Sequence, residues 1–248
     1  MKIAFISDIH EDLVSLRIAL SNIEKLACDK IVCLGDICGY SPFFYKYHNE
    51  RNAHECLNII RQNCEIIIPG NHDYFVSESL PEISPRFDFP ENWYELDYFQ
   101  KRSISNSKLW DYESSELNPK ISHQDKEFLA GLKQFQSMKS ENAEFLLSHY
   151  IYPNLSGMES NYCKNISDYQ QHFDFMEEHK SKISIVGHAH PSKLYYISRK
   201  QINKKNFGKS FEIDSEMIIL CPAIARGSFK QAFLVFDSND NRFYAKRI

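Results

Sequence analysis

Lys30-Ile31-Val32-Cys33-Leu34-Gly35-Asp36-Ile37-Cys38-Gly39-Tyr40 is the stretch on which the fold turns. Residues 30–34 form a short apolar run rich in β-branched side chains, the pattern of a buried strand. Gly35 lets the backbone bend, so the run delivers Asp36 to the edge of a sheet. A carboxylate placed there needs a cation or hydrogen-bond donors, because burying an unpaired charge is very costly. Four other segments follow the same plan. Residues 2–7 run into Asp8-Ile9-His10, and residues 65–68 into Pro69-Gly70-Asn71-His72-Asp73. Residues 144–148 run into His149, and residues 184–186 into Gly187-His188-Ala189-His190. Five apolar strands thus end in Asp, Asn or His. Carboxylate, amide oxygen and imidazole suit Mn, Fe, Zn, Co or Ni, and the strand ends carry no Cys of the kind that builds a structural zinc site.

Read together, D-x-H (Asp8, His10), G-D (Gly35, Asp36), G-N-H-D (Gly70 to Asp73), a lone His149 and G-H-x-H (Gly187 to His190) resemble the calcineurin-like metallophosphoesterase superfamily. Each piece alone is common by chance; five in the right order, each after a strand, are specific. The resemblance implies an α/β (α+β) fold, a four-layer αββα sandwich of two facing mixed β-sheets flanked by helices. It implies two divalent transition-metal ions, Mn favoured. Asp8, His10, Asp36 and His190 would hold one, and Asp36, Asn71, His149 and His188 the other, with Asp36 bridging. His72 would face the leaving group as acid or stabiliser, and Asp73 would orient its imidazole. Ions sharing a hydroxide would supply the nucleophile for in-line attack on a phosphate ester.

Within the superfamily the Gly35-Asp36-Ile37-Cys38-Gly39-Tyr40 loop is most similar to the bacterial-type predicted phosphodiesterase branch, whose members share G-D-I-x-G-Y. The x-x-D-R-G continuation of the phosphoprotein phosphatases is missing, which disfavours a phosphoprotein substrate. The expectation is a small phosphate ester, diester before monoester, including nucleotide-like molecules. A nuclease acting on DNA or RNA and a non-catalytic scaffold on the same fold are the alternatives.

The 248 residues, 43% apolar, suffice for one domain with a sizeable core spanning 1–248. The net charge is -4, and residues 74–121 carry nine Asp or Glu against five Lys or Arg, so the imbalance sits there. With no basic stretch in view, long nucleic acid is a disfavoured partner. No apolar run approaches the roughly 20 residues of a membrane span. The first strand ends in a candidate ligand, which argues against a cleaved signal, and the seven cysteines lack a C-x-x-C pair, as reduced thiols do. The expected location is cytoplasmic; the oligomeric state is left open.

Between the motifs, Leu13, Leu16, Leu20, Ile23 and Ala27 mark one face of a helix capped by Asp12, with Glu11 facing solvent. Residues 52–63 repeat that periodicity. Residues 39–48 hold five aromatics that either wall a pocket or pack the loop down. Residues 74–121, with ten aromatics, read as an inserted cap over the site. Ser122 and Asp125 open a helix extending to Phe135. Ser167 caps a helix over 168–179, and 193–199, 211–220, 230–237 and 241–247 read as strands. His48, His54, His123, His172 and His179 are expected at the surface, and Lys46, Arg51, Lys193 and Arg226 as solvated charge.

Overall fold

In residues 2–6, Ile3 and Phe5 project to one side and Ala4 and Ile6 to the other, and all four are fully buried. A strand covered on both faces lies in the middle of a layered structure. The computed structural model describes residues 1–141 and 143–248. In chain order its elements are β1 (Lys2–Ile6), α1 (Leu13–Lys25), β2 (Lys30–Cys33), α2 (Ala53–Asn63), β3 (Ile66–Ile67), α3 (Asn71–Ser77), α4 (Tyr98–Ser105), α5 (His123–Ala130), β4 (Phe135–Lys139) and β5 (Glu144–Ser148). They continue with α6 (Gln170–Glu178), β6 (Ile183–Val186), β7 (Leu194–Ile197), β8 (Ile202–Lys205), β9 (Phe211–Glu212), β10 (Met217–Leu220), β11 (Ala232–Asp237) and β12 (Arg242–Arg247). Among the described residues the strands form two mixed six-stranded sheets, ordered β3-β2-β1-β11-β12-β9 and β4-β5-β6-β10-β7-β8.

The sheets face each other across a core in which Ile3, Phe5 and Val32 meet Phe145, Leu147, Ile185 and Ile219. Phe5 and Phe236 each pack edge-on against Phe145, with centroids 5.8 and 5.3 Å away, the arrangement aromatic quadrupoles favour. On the outer face of the first sheet, Ala4, Ile6 and Val235 bury Leu16 and Ile23 of α1 and Leu57 and Ile60 of α2. On the outer face of the second, Leu146, Val186 and Ile218 bury Phe173 and Met176 of α6. The expected four-layer αββα sandwich is therefore the one observed.

Strand direction places the site. β1, β2 and β3 run parallel, as do β5, β6 and β10. Parallel strands end on one edge, where ligands collect in open α/β sheets. Hence Asp8, Asp36 and Asn71 leave one sheet beside the point where His149 and His188 leave the other.

Several local expectations change. Asp12 caps α1 by accepting from the Ser15 amide at 3.1 Å, but Glu11 is 1% exposed rather than solvated. Its carboxylate pairs with Arg51 at 3.1 Å. Arg226 likewise pairs with Asp12 at 2.9 Å, so neither arginine is free surface charge. Helix α5 stops at Ala130, and Phe135 begins β4. The run 211–220 splits between the sheets, β9 pairing with β12 and β10 with β6 and β7, and β8 is a strand with no apolar pattern to announce it, its residues alternating between exposed and half-buried. Asn165 and Asp168, not Ser167, cap the turn leading into α6. On that helix His172 is fully buried, whereas His48, His54 and His123 are exposed as expected. The segment 74–121 opens inside α3 and contains α4.

Candidate metal centre

The backbone at the strand ends is bent into the left-handed region: φ is 55° at Asp8, 46° at His10, 52° at Asp36, 63° at His188 and 43° at His190. Such conformations cost non-glycine residues on the order of 1 kcal/mol or more each and persist only where surrounding structure enforces them. Here the enforcement is visible. The amides of Ile9 and His10 both donate to the Asp36 carbonyl, at 2.8 and 2.9 Å, and the Asp8 amide donates to the Gly35 carbonyl at 2.9 Å. Gly70 must be glycine, because a Cβ there would run into the Asp36 carboxylate. That close approach lets the His72 amide, in the first turn of α3, donate to Asp36 Oδ1 at 3.0 Å.

All seven residues expected as metal ligands come together. His190 Nε2 lies 3.0 Å from Asp8 Oδ1 and 3.2 Å from His10 Nε2. His149 Nε2 lies 3.2 Å from Asp36 Oδ2 and 3.1 Å from Asn71 Oδ1, and His188 Nδ1 lies 2.9 Å from the same amide oxygen. Asp36 stands between the halves, with His10 Nε2 at 3.8 Å from its Oδ2. The outward nitrogens fix the tautomers. His10 Nδ1 faces the Gly39 carbonyl at 2.8 Å and His149 Nδ1 faces the Leu34 carbonyl at 2.6 Å, so each must carry the proton there. Their Nε2 lone pairs then point inward at other acceptors, a convergence that only cations or trapped protons satisfy. Donor atoms of Asp8, His10 and His190, of His10, Asp36 and His72, and of Asp36, His149 and His188 fall into three groups, each within 4.8 Å. Oxygen and imidazole nitrogen at such spacing fit divalent transition metals.

The electrostatics divide the ligand-type histidines. Burial opposes ionisation of Asp8, but the His190 and His149 rings outweigh it and lower its pKa to about 2. Burial, reinforced by His72 and His190, drops His10 to about 3, and burial with His149 drops His188 to about 3. His10 and His188 are thus held neutral, the form that ligates metal, whereas burial of His149 is overridden by the adjacent Asp36 carboxylate, which raises that ring to about 9.

His72 is turned differently. Burial disfavours its charge, but Glu116 and then Asp36 override that and raise its pKa to about 10. Its Nδ1 lies 2.5 Å from Glu116 Oε1 and its Nε2 3.8 Å from Asp36 Oδ2. The expectation that Asp73 orients this ring is corrected by the geometry. The Asp73 carboxylate accepts instead from the backbone amides of Ile37, Cys38 and Gly70 at 3.0 to 3.1 Å, pinning the loop that carries Asp36. Position N3 of α3 turns it toward those amides and away from the imidazole.

The calcineurin-like phosphoesterase family model matches residues 1–192. The chain belongs to that family. An uncharacterized protein of Methanocaldococcus jannaschii is 26% identical over 99% of this chain and 86% of its own length. Among solved structures, a metallophosphoesterase from Sphaerobacter thermophilus has a TM-score of 0.70 at 20% identity, over 100% of this chain and 88% of that one. A hypothetical protein from Pyrococcus horikoshii has a TM-score of 0.60 at 16% identity, over 100% and 87%. These two likenesses speak for the fold. As a calcineurin-like phosphoesterase, the protein is a metal-dependent hydrolase of phosphate esters.

Over the candidate metal residues of this phosphoesterase opens a cavity of about 290 Å³, lined by His10, Asp36, Asn71, His72, His188 and His190 together with residues of the 39–48 loop and the 74–121 segment. The 39–48 loop divides its aromatics. Tyr40 and Tyr47 pack inward, Tyr45 lies 4.9 Å from the His10 ring, and Phe44 lines the cavity while 69% exposed. The 74–121 segment contributes Trp110, Tyr112 and Glu116 to the wall. Glu116 carried no motif, and only the aromatic density around it marked the segment as functional.

Proposed function

We propose that this phosphoesterase hydrolyses a small phosphate ester, a diester in preference to a monoester, at a centre of two divalent transition-metal ions bridged by Asp36. The supporting observation is the inward convergence of imidazole nitrogens and carboxylate oxygens around Asp36. Asp8, His10, Asp36 and His190 would hold one ion, and Asp36, Asn71, His149 and His188 the other, Mn being favoured. When bound, such a pair polarises phosphoryl oxygens and makes water nucleophilic at neutral pH.

The chain's own residues do the rest. Glu116 beside Nδ1 favours a protonated His72 ring, which would offer its Nε2 proton to the oxygen that leaves. Asp73 holds the Asp36 loop in register. A diester carries one negative charge and a monoester up to two. The charged side chains lining the cavity, the histidines apart, are Asp36, Asp111 and Glu116, a setting that favours the less charged substrate. Exposed Phe44 and Tyr162 at the same cavity present flat faces on which an aryl or nucleobase group stacks, supporting a nucleotide-like substrate. Seven unpaired cysteines among the described residues support work in a reducing compartment, the cytoplasm; no described helix is long and apolar enough to cross a membrane.

The test is hydrolysis of bis-p-nitrophenyl phosphate against p-nitrophenyl phosphate, with Mn²⁺ and after chelation, for wild type and His72→Ala. The expected outcome is metal-dependent cleavage favouring the diester, with turnover about 10² to 10⁴-fold lower in the variant at unchanged metal content. Equal turnover in both proteins removes His72 from the mechanism.

A further inference from the structure

The His72 ring sits between two carboxylates that come from different parts of the chain. Asp36 lies on the Nε2 side at 3.8 Å, and Glu116, whose side chain is 4% exposed, meets Nδ1 at 2.5 Å. A carboxylate this close to Nδ1 forms an ion pair with the ring, favours a proton on that nitrogen and leaves Nε2 directed at the reacting group. Edge-on contacts with the Tyr112 ring at 5.3 Å and the His10 ring at 4.8 Å hold the same plane.

Glu116 is itself held. The amide of its neighbour Leu117 donates to the Tyr40 carbonyl at 3.0 Å, making an antiparallel bridge to the loop that follows Asp36. Arg51, bound to Glu11, donates to the Leu117 carbonyl at 3.4 Å and lies over the Tyr40 ring at 5.1 Å. A chain of contacts from the metal loop thus clamps one residue of the 74–121 excursion against the imidazole.

We propose that Glu116 is the positioning residue for His72, so that docking of the 110–117 strip completes the proton-delivering group. This rests on His72 acting in phosphoester cleavage as argued above. The opposite role is physically distinct: a carboxylate that merely repels anionic substrate would lower activity, and its removal would raise it.

The experiment compares Glu116→Gln, His72→Ala and the double variant on aryl diesters with good (p-nitrophenolate) and poor (phenolate) leaving groups. Metal content and thermal unfolding are measured alongside, and the His72 ring is observed by ¹⁵N NMR in the metal-free protein. The expected result is an about 10- to 100-fold loss of kcat in Glu116→Gln, the size typical of losing an orienting partner. The loss is larger on the poor leaving group, and the double variant is no slower than His72→Ala because the pair acts as a unit. Metal content stays unchanged. In wild type the Nδ1 proton resonates far downfield, and the variant loses that signal. Increased turnover in Glu116→Gln, additive losses in the double variant, or an unprotonated Nδ1 in wild type overturns the assignment. If wild type cleaves neither ester with metal bound, the phosphoesterase reading falls, and the Nδ1 signal alone then decides whether Glu116 sets the ring.

Discussion

Asp36 concentrates the chemistry of the molecule into one side chain. Its Oδ1 accepts from the His72 amide at 3.0 Å, leaving Oδ2 among His10, His72 and His149. Burial raises the pKa of a carboxyl group, yet the His149 and His72 rings beside it hold Asp36 well below the usual carboxylate range. A shared anion is what two neighbouring cations require. Asp36→Asn preserves shape and the Oδ1 contact but removes the charge, so metal content and ester hydrolysis are both expected to collapse, as metal analysis and the diester assay will report. Retention of bound metal in that variant would contradict a bridging role. The residue type and its position after Gly35 were legible in the chain. The acceptor on the far side of His72 was not, because Glu116 is brought there by a loop-to-loop bridge that leaves no local pattern.

Helix α6 shows how an element reveals more than its periodicity. His172 appeared on a helix with polar neighbours, which suggested the surface. In the fold its Nδ1 accepts from the Tyr152 amide and its Nε2 donates to Ser184 Oγ of β6, both at 2.8 Å. Each nitrogen is committed, so only the neutral ring fits, and burial lowers its pKa from 6.5 to about 3. The folded-state pKa lies below the unfolded one, so the stabilisation is complete above pH 6.5 and is lost as pH falls toward 3. Each unit below 6.5 therefore costs about 1.4 kcal/mol from this group. Urea unfolding of metal-free protein at pH 7 and pH 5 checks it: His172→Gln is expected to be less stable at pH 7 but to lose about 2 kcal/mol less on acidification than wild type. Parallel losses would show that the ring is not the titrating group. Glu11 teaches the same lesson, since its burial against Arg51 depends on a partner forty residues away and no helix pattern announces it.

At the scale of the whole molecule, stability resides in the two-sheet core. Phe145 is fully buried and touches rings from three strands of the opposite sheet: Phe5, Phe236 and Phe243. Phe145→Ala removes that shared contact and leaves a cavity between close-packed layers, at an expected cost of about 3 to 5 kcal/mol. Chemical denaturation measures it, and a loss below about 1 kcal/mol would mean that the sheets close over the gap. Because the site straddles both sheets, loosening their packing is also expected to weaken metal retention.

The sequence by itself determined the strand ends, their order and the donor atoms they carry, because each ligand lies within a few residues of the apolar run that places it. Five such runs, through the family resemblance they carry, sufficed to anticipate the layered fold and to name the candidate metal residues. Tertiary structure alone decided which carboxylate faces His72, which histidine on α6 is buried, which arginines are paired, and how residues 211–220 divide between sheets. Those choices depend on partners distant in the chain, and an ion pair, unlike a strand, has no period by which a single sequence can declare it.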